Sequence, residues 1–444
     1  MLVGRDADVM PMWPAIPWRI RAALIVVACL FVLVRNQLEG AVTDDLNGRL
    51  ASEIDGIFAP LAGPNTPGVA VLVRRAGEGV TERDDAGETE FVRGYGVRDL
   101  TSSAPIDART NFRLASCTKQ FTAMAVMLLV HDRKLGYDQR LTEVFSDFPS
   151  YGKTITIRNL LNHTSGLPDY ETLMEQEEQS AGKAYQPDSS KAPTNQSAPS
   201  SVASNRNRRW TEHNQIQDAE VLALLEKQNA TLFTPGTKWA YSNSGYVLLG
   251  LIVAKVSGKT FGEFLYDRMV APLRMDETLV YEKGKNEIAN RAYGYSRVSN
   301  AWKPADQSAT SATLGDGGVY SSLSDLAKWD QALTKHTLLG ESEMQAAVTP
   351  VLLSGGASPV WPADSDRVQG MPVSYGFGWF LDPYHGRQRR WHSGESIGFR
   401  TYIERFTGDA AGRGALTIIV LCNRTDLNPE ELAAKVADAV LASH

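Results

Sequence analysis

The spacing of apolar residues changes once in a way that organises the rest of the chain. Phe112 and Leu114 lie two positions apart, which is the spacing of a short half-buried strand. From Phe121 to Leu128 the apolar residues recur with the spacing of one helix face. The pattern therefore predicts a strand that turns into a helix, with Ser116 at the start of that helix.

Strand patterns occur near both ends of the chain, and helical patterns lie between them. Strands are predicted over 68–73, 91–96, 376–380, 389–392, 399–406 and 415–421. Helices are predicted over 154–166, 218–225, 247–256, 260–269, 322–333 and 429–441. This order predicts an α+β fold, with a mainly antiparallel sheet made from both ends of the chain, flanking helices and an inserted helical subdomain.

Residues 175–209 interrupt these patterns. Polar and charged residues dominate the segment, and its large apolar residues are Tyr185 and Val202. A segment of this composition buries too little apolar surface to offset the entropy lost on ordering. We therefore predict a disordered surface insertion within one domain that extends over 46–443.

Residues 1–45 have the features of a targeting segment. Arginines flank a run of apolar residues at 22–34, which is short for a bilayer span and typical of a signal-peptide core. A cleaved signal peptide and an uncleaved membrane anchor both remain open, as do a buried N-terminal helix and lipidation at Cys29. The segment predicts a periplasmic or otherwise extracytoplasmic protein, either secreted or anchored.

Composition narrows the classes of function. The 444 residues carry a net charge of −6, and the basic residues are dispersed, so no nucleic-acid partner is predicted. The three cysteines give no disulfide framework, and no Cys/His cluster has metal-ligand spacing. We expect neither a metal nor another cofactor.

The strand-to-helix segment also carries candidate chemistry. A serine hydroxyl needs a base to become a good nucleophile, and Lys119 lies one helical turn after Ser116. Burial of a lysine can depress its pKa enough for that task. Cys117 is predicted to pack elsewhere, and His163 to hold a loop. Alone, the Ser-x-x-Lys pair is weak evidence and fits a capping serine with a solvated lysine better than a catalytic pair.

Two later motifs favour the catalytic interpretation of the Ser116–Lys119 pair. The segments 116–119 (Ser-Cys-Thr-Lys), 241–243 (Tyr-Ser-Asn) and 392–394 (His-Ser-Gly) resemble, in order and rough spacing, the serine β-lactamase and penicillin-binding-protein superfamily. The Tyr-x-Asn motif is similar to that of the class C β-lactamase branch, which includes D-Ala-D-Ala carboxypeptidases, D-aminopeptidases and family VIII-type esterases. Residues 162–168 and 315–322 resemble further stretches of that branch. The resemblance implies a β-lactamase/transpeptidase-like fold.

The resemblance also implies a role for each catalytic residue. Ser116 would be acylated, and Lys119 and Tyr241 would share the proton transfers. We expect cations near Tyr241 to pull it toward phenolate. Asn243 would orient Lys119 and a substrate carbonyl. The backbone amides of Ser116 and Glu395 would form the oxyanion hole.

The third motif implies residues that bind substrate. His392, Ser393 and Gly394 would lie along a strand edge, where many relatives carry Lys-Thr-Gly. His392 could donate to a substrate carboxylate or to Tyr241, and Gly394 would let the substrate lie close to the strand. A neutral histidine binds a carboxylate less firmly than an ammonium does, which disfavours efficient β-lactam hydrolysis.

Our first hypothesis is a serine hydrolase that forms an acyl-enzyme with an ester, an amide or a D-amino-acid peptide, and possibly with a β-lactam. The alternative is a membrane-anchored penicillin-binding or sensor module that does not turn over. A structural scaffold is a third possibility. The expected partner is a small-molecule or peptide substrate, and the oligomeric state stays open.

Overall fold

The computed structural model describes residues 48–75, 89–180, 209–362, 370–408 and 414–442. The predicted targeting segment and most of the predicted insertion lie outside these residues. The contacts separate a unit ending at Ile54 from a second unit that begins at Asp55 and contains the sheet and helices considered below. In the described ranges, no helix is both long and apolar enough to cross a membrane.

The α-helices in the described part of the chain are, in order, α1 (48–58), α2 (Lys119–His131), α3 (Leu141–Val144), α4 (Ile157–Leu161), α5 (Tyr170–Ser180), α6 (Asp218–Glu226), α7 (Asn243–Ser257), α8 (Phe261–Leu265), α9 (Leu323–Thr334), α10 (Glu341–Met344) and α11 (Pro429–Ala442).

The strands are, in order, β1 (Val69–Arg75), β2 (Thr89–Tyr95), β3 (Val97–Asp99), β4 (Ala104–Pro105), β5 (Phe112–Arg113), β6 (Leu279–Val280), β7 (Tyr295–Val298), β8 (Ala301–Pro304), β9 (Val319–Ser321), β10 (Pro383–Tyr384), β11 (Arg387–Ser396), β12 (Phe399–Phe406) and β13 (Leu416–Cys422).

The main sheet joins the two ends of the chain. Its six strands have the order β10-β11-β12-β13-β1-β2, and every neighbouring pair is antiparallel. Strand β1 pairs with β13 so that Val69 lies opposite Cys422. Helix α11 packs against β12 and β13, and α9 packs against β1. Because these strands lie between packed elements, β13 is buried along its whole length. The predicted α+β fold is confirmed.

Two core helices bring distant segments together. Helix α2 is buried from Lys119 to Leu129 and packs against α7. Helix α7 begins at Asn243, where the Ser242 hydroxyl caps it by accepting from the Gly245 amide at 3.2 Å. The packing of these two helix starts places the first two sequence motifs side by side.

The structure differs from the sequence prediction at 376–380, which forms no strand. Phe380 makes only isolated bridges, to Tyr375 and Trp391. Gly378 has φ +76°, and a Cβ atom there would lie 2.8 Å from the Lys119 carbonyl oxygen. The close approach of this turn to α2 replaces the extended conformation that the local pattern suggested.

Two predicted boundaries also move. The helix predicted over 260–269 ends at Leu265 and continues as one π-helical turn, Tyr266–Val270. Residues 175–180, assigned to the insertion by composition, complete α5, where Glu178 is buried. An ion pair between Glu177 and Arg209, at 3.3 Å, ties this end of α5 to the chain beyond 208.

Candidate active site

The nucleophile candidate lies on a tight turn between β5 and α2. Ala115 has φ +47° and begins a 3₁₀ turn, Ala115–Thr118, which runs directly into α2. The Thr401 hydroxyl of β12 donates to the Leu114 carbonyl at 2.8 Å. This contact holds the turn against the sheet. The predicted position of Ser116 at the start of a helix is confirmed.

Lys119 is fully buried and reaches three oxygen atoms. Its Nζ lies 2.9 Å from Ser116 Oγ, 2.9 Å from Asn243 Oδ1 and 3.1 Å from the Asp316 carbonyl oxygen. The Tyr241 ring faces the same Nζ, with its centroid 4.9 Å away. The structure therefore brings together the four residues assigned to the first two motifs. The Asp316 carbonyl was not anticipated, although it belongs to the 315–322 stretch.

Tyr241 is a neutral phenol in this site. Its hydroxyl hydrogen-bonds to the Ser116 side chain, but loss of water around it raises the pKa of Tyr241 well above 10. The expectation that cations pull Tyr241 toward phenolate is therefore wrong for the free protein. Lys119 lies over the face of the ring, where a cation is attracted by the π system.

Two hydrogen bonds hold the His392 ring in place. Its ring is 1% exposed, with Nδ1 2.6 Å from the Ser393 carbonyl oxygen and Nε2 3.2 Å from the Tyr375 hydroxyl. The nitrogen that faces a carbonyl carries the proton, so Nδ1 donates and Nε2 accepts from Tyr375. Burial and the nearby Lys119 lower the pKa of His392 to about 3.

This geometry limits the role predicted for His392. Both ring nitrogens have partners within the protein, and its ring centroid lies 6.1 Å from that of Tyr241. The imidazole therefore does not donate to Tyr241 in this arrangement. His392 and Ser393 both line the cleft, and their contact with a substrate stays a prediction.

Gly394 makes room for the nucleophile turn. A Cβ atom on Gly394 would lie 2.2 Å from the Leu114 carbonyl oxygen and 3.2 Å from the Ser116 backbone nitrogen. This close approach requires a glycine at position 394 whether or not a substrate is bound. The role of Gly394 beside a substrate stays a prediction.

The amide of Glu395 faces the same strand edge. Trp391 exchanges backbone hydrogen bonds with Phe380 at 2.9 and 3.0 Å, on the side of β11 away from β12. Backbone groups two and four residues later point to the same side, which places the Glu395 amide at the open edge near Ser116. The oxyanion hole from Ser116 and Glu395 stays a prediction, and this direction agrees with it.

Two neighbouring groups have structural roles. The His163 ring accepts from the Ser242 amide at 3.2 Å and packs 4.4 Å from the Tyr241 ring, which agrees with its predicted role in a loop. Cys117 is buried, its thiol donates to the His392 carbonyl at 3.1 Å, and burial raises its thiol pKa to about 12. Cys117 is packed, as predicted.

The cleft around Ser116 has a volume of about 560 Å³ and two unlike sides. Hydroxyl and carboxyl groups line one side. Four stacked or edge-on aromatic rings, with centroids 4.4 to 5.6 Å apart, line the other: Trp239, Trp361, Phe380 and Trp391. Among the described residues, no group of His, Cys, Asp and Glu could hold a metal ion.

A buried serine–lysine–tyrosine centre at a helix start, beside the edge of an antiparallel sheet, defines a serine hydrolase of the β-lactamase type. The chain belongs to the Beta-lactamase family, whose family model matches residues 54–443. Penicillin-binding protein 4* of Bacillus subtilis (strain 168) is 29% identical over 372 residues, which cover 80% of this chain and 70% of that protein.

A D-aminopeptidase of Gluconobacter oxydans (strain 621H) is 23% identical over 90% of this chain, and the match spans only 62% of that enzyme. Two solved structures share the fold. The octameric penicillin-binding protein homologue from Pyrococcus abyssi matches with a TM-score of 0.64, 23% identity and coverage of 89% of this chain and 77% of its own. The D-amino acid amidase from Ochrobactrum anthropi SV3 matches with a TM-score of 0.63 and 23% identity, and the match covers 89% of this chain and 100% of that enzyme.

Proposed function

We propose that the protein hydrolyses an ester, an amide or a D-amino-acid peptide through an acyl-enzyme on Ser116. The observation that carries this proposal is the set of three oxygens around Lys119 Nζ. In the neutral form that a general base requires, Lys119 would donate its two N–H groups to Asn243 Oδ1 and the Asp316 carbonyl oxygen, which leaves its lone pair for the Ser116 hydroxyl.

The reaction follows from that arrangement. Lys119 takes the proton as Ser116 Oγ bonds to the substrate carbonyl carbon, and the backbone amides stabilise the resulting oxyanion. Tyr241 lies beside Ser116 and can pass a proton to the leaving group as the scissile bond breaks, while the proton that Lys119 took from Ser116 is relayed to Tyr241, so that both residues end neutral. Water then attacks the acyl-enzyme with the same groups acting in reverse, and the acid product leaves.

The cleft favours some substrates within this range. A neutral His392 whose nitrogens are paired with Ser393 and Tyr375 would bind a substrate carboxylate less firmly than an ammonium group, so efficient β-lactam hydrolysis is not favoured. The name D-aminopeptidase on one relative supports amides and peptides of D-amino acids as candidates. The non-turnover sensor alternative requires neither the buried lysine nor the tyrosine that the site retains.

A labelling experiment tests the proposal. A fluorophosphonate should add one adduct to Ser116, detected by intact mass, and Ser116→Ala should abolish the adduct. Cys117→Ala is the matched control because it changes the adjacent, packed side chain, and it should keep the adduct. Turnover of a chromogenic ester and of nitrocefin is then measured. Equal rates for wild type and Ser116→Ala would reject the hydrolase, and a stoichiometric burst without turnover would favour the sensor.

We propose further that residues 1–45 export the protein or attach it to the membrane, and that the catalytic domain acts in the periplasm. The apolar run at 22–34 between arginines supports this. Intact mass of the mature protein and fractionation of cells test it. A full-length protein in the cytosolic fraction would refute it.

A further inference from the structure

Asp316, whose backbone carbonyl accepts from the catalytic lysine, carries a buried carboxylate without a complete set of partners. The Asp316 side chain is 7% exposed and lines the cleft. Its Oδ2 accepts from the Tyr170 hydroxyl at 3.3 Å, whereas the buried Oδ1 has no hydrogen-bond partner among the described residues. A buried acceptor without a donor is costly, so a ligand that brings a donor is stabilised there.

A second buried carboxyl group lies near Asp316. Burial and the nearby Asp316 raise the pKa of Asp218 well above 3.8. The raised pKa disfavours a second negative charge there. Lys119 meets Asp316 through the backbone carbonyl, at 3.1 Å.

The rest of the cleft holds charged groups of both signs. Of the described residues that line it, Glu171 and Glu395 are acidic and Arg113 is basic, and the Glu395 carboxylate lies 3.7 Å from the Arg400 guanidinium. The Arg113 guanidinium is buried, donates to the Ser311 carbonyl at 3.1 Å and lies 5.9 Å from the centre of the Tyr320 ring. Its Nε and Nη1 make no hydrogen bond within the described residues, so anion binding there is the competing outcome.

The aromatic side of the cleft completes the complementarity. The rings of Trp361 and Phe380 are stacked with centroids 5.6 Å apart, and Phe380 stacks on Trp391 at 4.4 Å. An apolar side chain can bury its surface there, and the ring faces attract a cation. A substrate with an apolar side chain and an ammonium group would match both sides.

We propose that Asp316 binds a protonated amino group of the substrate, next to the scissile carbonyl. The protein would then prefer amides, esters or peptides of apolar amino acids with a free amine over N-acylated or carboxylate-bearing analogues. This inference rests on the proposed function, because its kinetic test requires that the protein hydrolyse the substrate.

The first experiment compares substrates in the full-length protein. Phenylalanine p-nitroanilide of each hand and its N-acetyl derivative are compared by kcat/KM. We expect the free amine of the preferred hand to exceed its N-acetyl derivative by about tenfold or more, as a charge-assisted hydrogen bond implies. Asp316→Asn should reduce this ratio to about one. The exposed carboxylate Asp147 provides the control variant Asp147→Asn, which should keep the ratio.

The second experiment needs no turnover. Calorimetry measures binding of 2-phenylethylamine, 2-phenylethanol and 3-phenylpropionate to wild type. The amine should bind about tenfold more tightly than the alcohol, and the carboxylate most weakly. If Asp316→Asn does not fold, this measurement on wild type alone shows whether the cleft prefers an ammonium group to a hydroxyl or a carboxylate.

Three results would overturn the proposal: a free-amine preference near one in wild type, an unchanged ratio in Asp316→Asn, or tightest binding of the carboxylate, which would assign the site to Arg113. Failure of the hydrolase itself is separate. In that case no substrate turns over and no adduct forms on Ser116, while calorimetry still reports the charge preference.

Discussion

Gly394→Ala should impair catalysis although it changes no group with catalytic chemistry. The new methyl group would lie 2.2 Å from the Leu114 carbonyl oxygen and 2.3 Å from Thr401 Oγ1. Ordinary contact requires a displacement of about 1 Å between β11 and the nucleophile turn. That displacement would separate the Ser116 amide from the Glu395 amide.

The magnitude follows from the geometry. A misplacement of about 1 Å costs on the order of 100-fold in rate, which corresponds to about 2.7 kcal/mol. Overpacking should also lower the free energy of unfolding by about 1–3 kcal/mol. We therefore expect kcat/KM for a chromogenic ester, corrected for the folded fraction, to fall by about 100-fold, together with the rate of fluorophosphonate labelling.

A second glycine supplies the control. A Cβ atom on Gly355 would meet no atom within 4 Å, so Gly355→Ala should match wild type in both rate and thermal unfolding. If Gly394→Ala is folded and its kcat/KM stays within about twofold of wild type, the close approach of Gly394 to Leu114 does not position the site, and the reasoning is wrong.

The remaining predictions concern charge. Lys119→Met should lower kcat by about 1,000-fold or more, because it removes the base and leaves the acceptors around Nζ unpaired; a loss confined to KM would contradict this role. The pKa of His392 is 6.5 in the unfolded chain and about 3 in the folded protein. Its contribution to the free energy of unfolding is therefore fully present above pH 6.5 and is lost as the pH falls below that value. By pH 5 wild type should lose about 2 kcal/mol more than His392→Gln, measured by denaturant unfolding, and equal losses would refute the shift. Asp218 has a raised pKa when folded, so its ionisation in the unfolded chain favours unfolding as pH rises above 4. Asp218→Asn should therefore raise Tm at pH 7 and lose that advantage at pH 4, and a lower Tm at pH 7 would show that the carboxyl group stabilises the fold.

Local sequence determined the elements that carry the chemistry. The change of apolar spacing after Leu114 placed Ser116 at a helix start, and strand patterns at both chain ends led to the sheet in which β1 pairs with β13. The predicted helix starts at Thr260 and Ser322 are also those of the structure, where each side chain caps its helix through a hydrogen bond between residues three apart.

The tertiary structure decided the protonation state and the contacts of each site residue. Burial raises the pKa of Tyr241 and so favours its neutral form, and both nitrogens of His392 are paired with Tyr375 and Ser393. Gly394 is required by Leu114, which is 280 positions away in the chain. Periodicity and motif spacing report only neighbours along the chain, whereas pKa values, hydrogen-bond partners and close backbone contacts depend on groups that meet only when the chain folds.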